Sequence, residues 1–472
     1  MYQLHAIPVD EVTTLFFDPE TVAWIESREP VSSIVQARIA GYSVDEIAKL
    51  FKLDCRHVHD VLASIEEGLQ SEPPCGFIHR PKSITSVVVY TTTACNLNCA
   101  YCYVDRRKPV SMSLPVASAF VQSFFANYPD TRSIQFFGGE PTLNFPVIQQ
   151  VCRDVSDLRE RGALIEPPTF GIVTNAFHLT DEMLDFFERY RFSVTVSLDG
   201  PRELHDQNRK TLSQTGSFDK VVANIDRLRG RVAELNIEST YTKHHLDSGI
   251  TIKELYNFVD KSFGPDDVMV FPVSPGYYKS GDYILERNLE EINATITRMT
   301  VEMLRSGIRS LAGPSPRTKA VHVPLKIIGA MLSRTGTCPY YCTTCQQAMS
   351  IAPNGDIFPC FGFVGTMEFL MGNVQDKDAF TSDRYQSVLE RFVGNLKEKN
   401  TAKGCDKCWA RRLCWQCLVS IYKETNTLHD IRSYSCESLR AVCETILEEV
   451  HNLSKDPSAW EFLLGNVLEP QE

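Results

Sequence analysis

Three cysteines lie close together near residue 100, within the stretch CNLNCAYCY that covers residues 95–103. Cys95, Cys99 and Cys102 are separated by three and then two residues. Thiolates at this spacing bind zinc or the irons of a four-iron cluster. Both kinds of closed site need a fourth ligand, and this stretch does not supply one. The spacing therefore predicts a metal site with one open position.

Cysteine is also abundant elsewhere in the chain, with sixteen residues in total, of which twelve fall into two groups. The N-terminus lacks the basic segment and apolar run of a secretory signal, so we expect a cytoplasmic protein whose clustered cysteines bind metal rather than form disulfides. The four isolated cysteines are predicted to be small buried hydrophobic residues. The second group consists of Cys338, Cys342, Cys345, Cys360, Cys405, Cys408, Cys414, Cys417 and Cys436; the isolated residues are Cys55, Cys75, Cys152 and Cys443.

Length and charge narrow the class of protein. A chain of 472 residues suggests two to four domains, and its net charge of −11 disfavours a nucleic-acid partner. No run of about 18 apolar residues is present, so we expect no membrane partner.

Strand and helix patterns alternate between residues 85 and 308. Six strand–helix pairs predict an α/β domain with a parallel sheet, open or barrel-like, whose ligands collect where the strands end. The CNLNCAYCY stretch follows the first of these strands. The six strand-like runs are SVVVYT, SIQFFG, TFGIVT, SVTVSL, IESTYT and VMVFP.

Residues 1–70 are predicted to form a separate module. The strand-like runs YQLHAI and TTLFFD precede three helical runs, which suggests a winged-helix-like shape. Gly41 is expected to end the first helix, and Ser43 with Glu46 forms a capping box for the second. The module carries twelve Asp and Glu against five Lys and Arg, a net −7 that repels phosphate. We therefore expect it to bind a peptide, by adding a strand to an exposed sheet edge, rather than DNA.

The predicted boundaries follow from these patterns. The module is followed by a linker over 71–84, an α/β core over 85–310, a bridging segment over 311–336, a cysteine-rich domain over 337–440 and a C-terminal helix over 441–472.

Three further motifs follow the second, third and fourth predicted strands of the core: FFGGEPTL (136–143), VTNA (173–176) and VSLDGP (196–201). Together with the cysteine triplet and Tyr101, they resemble the radical S-adenosylmethionine (SAM) superfamily. The resemblance implies a partial (β/α)6 TIM-like barrel with a [4Fe-4S] cluster on Cys95, Cys99 and Cys102 as the catalytic centre. It also implies that SAM completes the open iron and is cleaved after one-electron reduction to a 5′-deoxyadenosyl radical.

The same resemblance implies which residues contact SAM. Tyr101 would pack on adenine, and Arg209, in the segment HDQNR, would pair with the SAM carboxylate. For two of these residues, an alternative without a role in SAM binding remains open. Arg209 would then be a solvated charge at a helix end, and Asn175 a turn residue. The GGEP segment would bind the methionine amino group, and Ser197 and Asp199 the ribose or carboxylate. The full set of implied contacts is Tyr101, Gly138, Gly139, Glu140, Pro141, Thr142, Asn175, Ser197, Asp199 and Arg209.

The second cysteine group resembles a SPASM domain, which holds two auxiliary [4Fe-4S] clusters and would bring the total to three. The pattern runs from Cys345 through Gly355 and Cys360 to the pairs around residues 405–417 and to Cys436. It departs from the family in having two rather than three residues between Cys414 and Cys417. Two zinc ribbons are the alternative for this region.

The resemblance also implies how the ligands divide. The first auxiliary cluster would use Cys345, Cys360, Cys417 and either Cys338 or Cys342, which leaves one of that pair spare. The second would use Cys405, Cys408, Cys414 and Cys436.

The stretch FPCFGFVGTMEFLMGNV (358–374) resembles the SPASM maturases that form thioether links in ribosomal peptides, of the ranthipeptide or sactipeptide type. This resemblance implies a precursor peptide bound through its leader, and an electron donor such as flavodoxin or ferredoxin. The alternatives are a sulfatase-type maturase that oxidises Cys or Ser to formylglycine, a maturase of amine-dehydrogenase subunits, and a non-enzymatic multi-cluster electron carrier.

Overall fold

The structure is a computed structural model. It describes residues 4–70, 84–104, 108–164, 166–273, 289–310, 344–345, 347–398, 405–414, 416–428 and 433–468. All of the predicted linker over 71–84 except residue 84, the whole bridging segment over 311–336, and Cys75, Cys338 and Cys342 lie outside these residues.

The N-terminal module is a three-stranded antiparallel sheet followed by three helices. The sheet has the order β1-β2-β3, and the third strand was not predicted from the sequence. The capping box of Ser43 and Glu46 is present, and Gly41 has the positive φ expected just beyond a helix end. The elements are β1 His5–Pro8, β2 Thr13–Asp18, β3 Ala23–Arg28, α1 Val31–Ile39, α2 Val44–Phe51 and α3 Cys55–Gln70.

Strand β2 is buried on both of its faces, which explains the unbroken apolar run in its sequence. Phe16 packs into the core beneath the module's own helices. Leu15 and Phe17 point the other way and share a core with helices from the far end of the chain. Since side chains alternate along a strand, the two halves of the run serve two different cores. The module is thus docked on the body of the protein through an apolar face.

The predicted parallel sheet is confirmed. Six parallel strands lie in the order β11-β10-β8-β7-β6-β4, and the alternating helices pack around one large core. A separate two-stranded ribbon joins β5 and β9. The strands are β4 Ser86–Thr92, β5 Leu97–Cys99, β6 Ser133–Gly138, β7 Thr169–Thr174, β8 Ser193–Ser197, β9 Arg209–Thr211, β10 Glu234–Tyr241 and β11 Asp267–Pro272.

Capping side chains mark the starts of several helices of this domain. Ser113, Thr180 and Thr251 cap three of them by accepting a backbone N–H of the first turn. The helices are α4 Leu114–Asn127, α5 Phe145–Glu160, α6 Asp181–Arg189, α7 Arg202–Asn208, α8 Phe218–Leu228, α9 Lys243–Asp247, α10 Ile252–Phe263 and α11 Leu289–Ser310, with a 3-10 turn at Pro141–Asn144.

The cysteine-rich region continues the same sheet. Strand β12 (Ala348–Ile351) pairs in parallel with β4, and β13 (Asp356–Phe358) and β14 (Gly372–Asn373) follow in antiparallel order. The turn between β12 and β13 contains Gly355 with φ +89°. A Cβ there would lie 2.9 Å from Asn373 Oδ1 and 3.0 Å from Val374 Cγ2, so a side chain at this turn would be crowded as well as strained.

The remaining helices complete the body. Helix α14 packs along α11, where the Arg309 guanidinium donates two hydrogen bonds, of 2.6 and 2.7 Å, to the buried Glu449 carboxylate. No helix among the described residues is long and apolar enough to span a membrane. The helices are α12 Asp383–Glu398, α13 Leu418–Thr425, α14 Ser433–Ser454 and α15 Pro457–Leu468, with 3-10 turns at Phe361–Phe363 and Met367–Phe369.

Candidate active site

The cysteine triplet lies beyond the C-terminal end of β4, as predicted. Its middle part forms β5, which pairs antiparallel with β9 so that Cys99 is directly opposite Arg209. The Arg209 Nη1 atom lies 4.0 Å from Cys99 Sγ. Arg209 is almost fully buried, so the alternative of a solvated charge at a helix end is wrong.

Two N–H donors lie close to the sulfur of Cys95. The Leu97 backbone N–H donates to Cys95 Sγ at 3.4 Å, and Asn175 Nδ2 lies 3.6 Å from the same sulfur. Burial raises the pKa of Cys99 to about 12, against the opposing effect of Arg209. A thiol in this environment ionises readily only when a metal binds it.

These observations fit an iron–sulfur cluster, in which N–H groups directed at sulfur tune the thiolate ligands. Within the described ranges, no group of three His, Cys, Asp or Glu side chains converges closely enough to hold a single metal ion. The fit to a cluster rests on the N–H donors near the sulfurs of Cys95 and Cys99.

An ion pair ties the ribbon to the end of β8. Arg209 Nε lies 3.0 Å from Asp199 Oδ1, and the Tyr101 hydroxyl donates to Asp199 Oδ2 at 2.6 Å. Burial alone would raise the pKa of Asp199, but Arg209, the Tyr101 hydroxyl and the Thr240 backbone N–H outweigh it and lower that pKa. Asp199 is thus an anion at neutral pH, and its carboxylate is occupied within the protein.

Glu140, in the GGEP segment, is buried and joins the ends of two strands. Its carboxylate accepts hydrogen bonds from the Thr142 hydroxyl at 2.7 Å, the Thr174 hydroxyl at 2.7 Å and the Asn175 backbone N–H at 2.7 Å. Burial raises its pKa, and these donors oppose the rise. Glu140 therefore shapes the loop rather than presenting a free carboxylate.

The two glycines of the same segment allow close contact with the cysteine stretch. Gly138 has φ +145°, and a Cβ at this position would overlap the Thr92 carbonyl oxygen. A Cβ at Gly139 would likewise overlap the Ala94 carbonyl, whose oxygen accepts the Glu140 N–H at 2.8 Å. Pro141 and Thr142 begin the 3-10 turn that follows.

Asn175 makes the turn contact considered for it and also reaches the cysteine stretch, while its contact with SAM stays a prediction. Its Oδ1 accepts the Phe177 backbone N–H at 2.9 Å, which is a turn contact. Its Nδ2 donates to Asn96 Oδ1 at 2.8 Å, beside Cys95. Ser197 lies half-buried at the end of β8.

Glu238 was not identified from the sequence. It lies on β10, level with Ser197 on β8, and is half-buried. Burial raises its pKa, Arg209 lowers it and Asp199 raises it, which places the carboxyl beside the ion pair. An acidic residue inside the otherwise neutral strand LNIESTY was the only local signal.

The second cysteine group is partly assembled by the fold. Cys345 and Cys360 flank the β12–β13 hairpin, so antiparallel pairing brings them to its open end. Burial raises the pKa of Cys436 to about 11, and nearby Cys414, Cys405 and Cys408 add to that rise. The four residues assigned to the second auxiliary cluster therefore lie together. Cys417 is exposed at the N-terminus of α13.

Of the isolated cysteines, Cys152 and Cys443 are buried as predicted. The prediction for Cys55 is wrong, because its thiol is exposed and donates to Asp45 Oδ1 at 3.2 Å. It occupies the first turn of α3, where one helical face is open to solvent.

Comparison with protein families identifies two domains. The radical SAM superfamily matches residues 89–262, and the SPASM iron-sulfur cluster-binding domain matches residues 342–409. The chain therefore contains a radical SAM domain and a SPASM domain, which imply [4Fe-4S] clusters and SAM as cofactors.

Individual proteins also resemble this chain, at modest sequence identity. The cysteine-type anaerobic sulfatase-maturating enzyme of Clostridium novyi is 28% identical over 191 residues, which is 38% of this chain and 49% of that enzyme. The match thus spans about half the length of this relative.

Two solved structures share the fold. Native anSMEcpe with bound AdoMet and the Cp18Cys peptide has a TM-score of 0.63 at 20% identity, covering 79% of this chain and 99% of that one. Streptococcus suis SuiB bound to its precursor peptide SuiA has a TM-score of 0.52 at 15% identity, covering 92% and 100%.

Proposed function

We propose that this protein modifies a ribosomally made precursor peptide, joining a cysteine sulfur to a carbon atom of an acceptor residue. The observation that carries the proposal is the N-terminal module, which is docked directly beside the second group of cysteines. A SPASM enzyme that recognises a leader peptide needs such a module, whereas an electron carrier needs neither the module nor a cofactor pocket.

The docking contacts meet the loop between Cys408 and Cys414. The His5 ring stacks on Trp409 with centroids 3.8 Å apart and an interplanar angle of 3°. Phe17 meets the same indole edge-on at 5.9 Å. On the rim, Glu20 forms ion pairs with Arg411 and Arg412, the latter at 2.9 Å. A leader held by this module would therefore start beside the auxiliary clusters.

At the radical site, Cys95, Cys99 and Cys102 would hold a [4Fe-4S] cluster and leave one iron to SAM. When bound, this cluster and SAM supply the 5′-deoxyadenosyl radical that removes a hydrogen atom from the acceptor carbon. Tyr101, Asn175 and Ser197 would line the SAM site. Arg209 would face the SAM carboxylate while Asp199 holds its guanidinium in place.

The remaining cysteine ligands would divide between two auxiliary clusters as the sequence suggests, which gives three clusters in total.

In the proposed reaction, a C–H and an S–H bond are replaced by one C–S bond. One hydrogen atom leaves with 5′-deoxyadenosine, and the thiol proton passes to solvent. One electron must then leave the peptide, and an auxiliary cluster can accept it. A flavodoxin or ferredoxin would supply the reducing electron, and the expected location is the cytoplasm.

The proposal is tested by co-expression with candidate short cysteine-rich peptides, taken from any open reading frame found next to this gene. The expected product has lost two hydrogen atoms, retains all of its sulfur and resists alkylation at the linked cysteine. A product in which an aldehyde has replaced the thiol would contradict the thioether assignment.

That second outcome is the formylglycine reaction, and the similarity to sulfatase-maturating enzymes favours it as the alternative. Incubation with a sulfatase-derived peptide, followed by trapping with a hydrazide, separates the two. Labelling that does not depend on residues 1–70 would support the alternative, because that reaction does not need a leader-binding module.

A further inference from the structure

Two histidines lie fully buried behind the cysteine triplet. His205 belongs to α7 and His245 to α9, and both have 0% of their surface exposed. They come from helices that follow different strands of the sheet. Both contact the same residue, Asp199, which is itself fully buried.

The two rings bind opposite backbone groups of Asp199. Its N–H donates to His205 Nδ1 at 3.3 Å, and its carbonyl accepts from His245 Nε2 at 2.7 Å. Its carboxylate is held by the Tyr101 hydroxyl and, at 3.1 Å, by the Thr240 backbone N–H. Every polar atom of Asp199 therefore has a partner.

The hydrogen bonds of His205 allow one tautomer. Because a backbone N–H can only donate, Nδ1 carries no proton and the proton lies on Nε2. Nε2–H then donates to Ser217 Oγ at 2.9 Å, and that hydroxyl donates to the Arg209 carbonyl at 2.6 Å. His205 thus connects the backbone of Asp199 with the backbone of Arg209, the two members of the ion pair.

The same reasoning fixes the tautomer of His245. The Thr242 backbone N–H donates to Nδ1 at 3.0 Å, so Nε2 carries the proton that is donated to the Asp199 carbonyl. The ring is also stacked on Tyr241, with centroids 5.1 Å apart. His245 thereby caps its own helix with one nitrogen and holds Asp199 with the other.

The adjacent glycine keeps the loop against these rings. Gly200 has φ +105°, and a Cβ there would lie 2.5 Å from Leu255 Cδ1 of α10. On the other side, Phe218 meets His205 edge-on at 5.7 Å. The loop after β8 is therefore held between two helices with no room for a side chain at Gly200.

We infer that His205 and His245 are positioning residues of the radical site. They fix the main chain of Asp199 so that its carboxylate aligns Arg209 and Tyr101 beside Cys99. The inference rests on the proposed role of this site in binding SAM, but it does not depend on which peptide is modified.

Asparagine and glutamine substitutions provide a test in which the two histidines respond oppositely. An Asn side chain reaches the position of Nδ1, and a Gln side chain that of Nε2. His205→Asn keeps the acceptor for the Asp199 N–H, whereas His205→Gln loses it. His245→Gln keeps the donor to the Asp199 carbonyl, whereas His245→Asn loses it and keeps only the helix cap.

SAM affinity of the cluster-loaded protein is measured, together with the change in the electron paramagnetic resonance spectrum of the reduced cluster on adding SAM. We expect His205→Gln and His245→Asn to weaken binding about tenfold, the cost of losing one buried hydrogen bond. His205→Asn and His245→Gln should stay closer to the wild type. The exposed His178→Gln serves as the matched control.

Iron content and melting temperature are recorded for all five variants. The inference would be overturned if the Asn and Gln variants of the same histidine bound SAM equally well. It would also be overturned if the loss of SAM affinity followed the loss of melting temperature rather than the opposite Asn and Gln preferences of His205 and His245. A wild-type protein that does not bind SAM would refute the proposed function itself. If the protein binds SAM but forms no thioether, the thioether assignment is wrong, and the SAM affinities of the histidine variants still test the inference.

Discussion

The radical site and the interface of the N-terminal module are held together by different forces. At the radical site, Asp199, Arg209 and Tyr101 form a buried network whose hydrogen bonds are directional. At the module interface, Leu15 and Phe17 enter an apolar core, and beside it the half-exposed Glu20 pairs with Arg411 and Arg412, which are largely buried.

The difference corresponds to what each region must do. Radical chemistry requires atoms to be placed accurately, and fully satisfied buried polar networks provide that at the cost of tolerating no missing partner. Apolar docking is non-directional and tolerates small shifts. Salt-screened ion pairs on the rim add specificity more than stability.

The largest effect is expected from removing the triplet. Cys95→Ala, Cys99→Ala and Cys102→Ala together should abolish reductant-dependent formation of 5′-deoxyadenosine while keeping about two thirds of the iron, since one of three four-iron clusters is lost. Chromatography of the nucleoside and iron analysis check this. Continued 5′-deoxyadenosine formation by the triple variant would refute the assignment of the radical cluster.

Breaking the buried ion pair should come next. Asp199→Asn leaves the Arg209 charge buried without its partner, and we expect a loss of about 3–5 kcal/mol in the free energy of unfolding. Asp181→Asn is the control, because Asp181 pairs with Arg227 on the surface at 2.6 Å and should cost less than about 1 kcal/mol. Denaturant titration measures both, and equal losses would remove the contrast between buried and exposed pairs.

A pH effect of intermediate size is expected from His205. Its pKa is lowered to about 4, chiefly by burial and also by Arg209, while Asp199 and Asp206 oppose the shift. The unfolded chain therefore takes up a proton as pH falls below about 6.5 while the folded protein does not, so the free energy of unfolding falls as the pH falls.

Between about pH 7 and 5 this residue should cost about 2 kcal/mol in the free energy of unfolding. The difference between wild type and His205→Asn isolates the effect from other titrating groups. Parallel pH profiles for the two proteins would contradict the lowered pKa.

The smallest effect is expected on the rim of the module. Glu20→Gln removes the ion pairs with Arg411 and Arg412 and should weaken docking by less than about 1 kcal/mol, an effect that fades with added salt. Hydrogen–deuterium exchange over residues 405–414 measures docking directly. A large, salt-independent rise in exchange would show that the rim, and not the apolar core, holds the module.

The interface also changes how the charge of the module is interpreted. Its net −7 suggested an acidic surface for a peptide, yet part of this surplus is used internally. Glu26 lies 2.9 Å from His451 Nε2 and 3.4 Å from Lys455 Nζ, in addition to the pairs made by Glu20. Net charge alone does not show which acids remain free.

The sequence by itself determined which segments form strands and helices, and which residues with possible ligand or capping roles lie at the ends of those segments. The alternation of strand-like and helical runs identified the six parallel strands, and Ser43 with Glu46 identified a helix start. Cysteine spacing predicted which segments bind metal. These signals are local, because periodicity, capping and turn conformation depend on residues a few positions apart.

Only the tertiary structure decided the long-range pairings. Cys99 lies opposite Arg209, Ala348 pairs with Ser86 to extend the sheet, and His5 stacks on Trp409. Two histidines from separate helices likewise meet at one aspartate. Such contacts depend on which surfaces pack together, and no local pattern records this, because each strand edge or buried ring has many compatible partners along the chain.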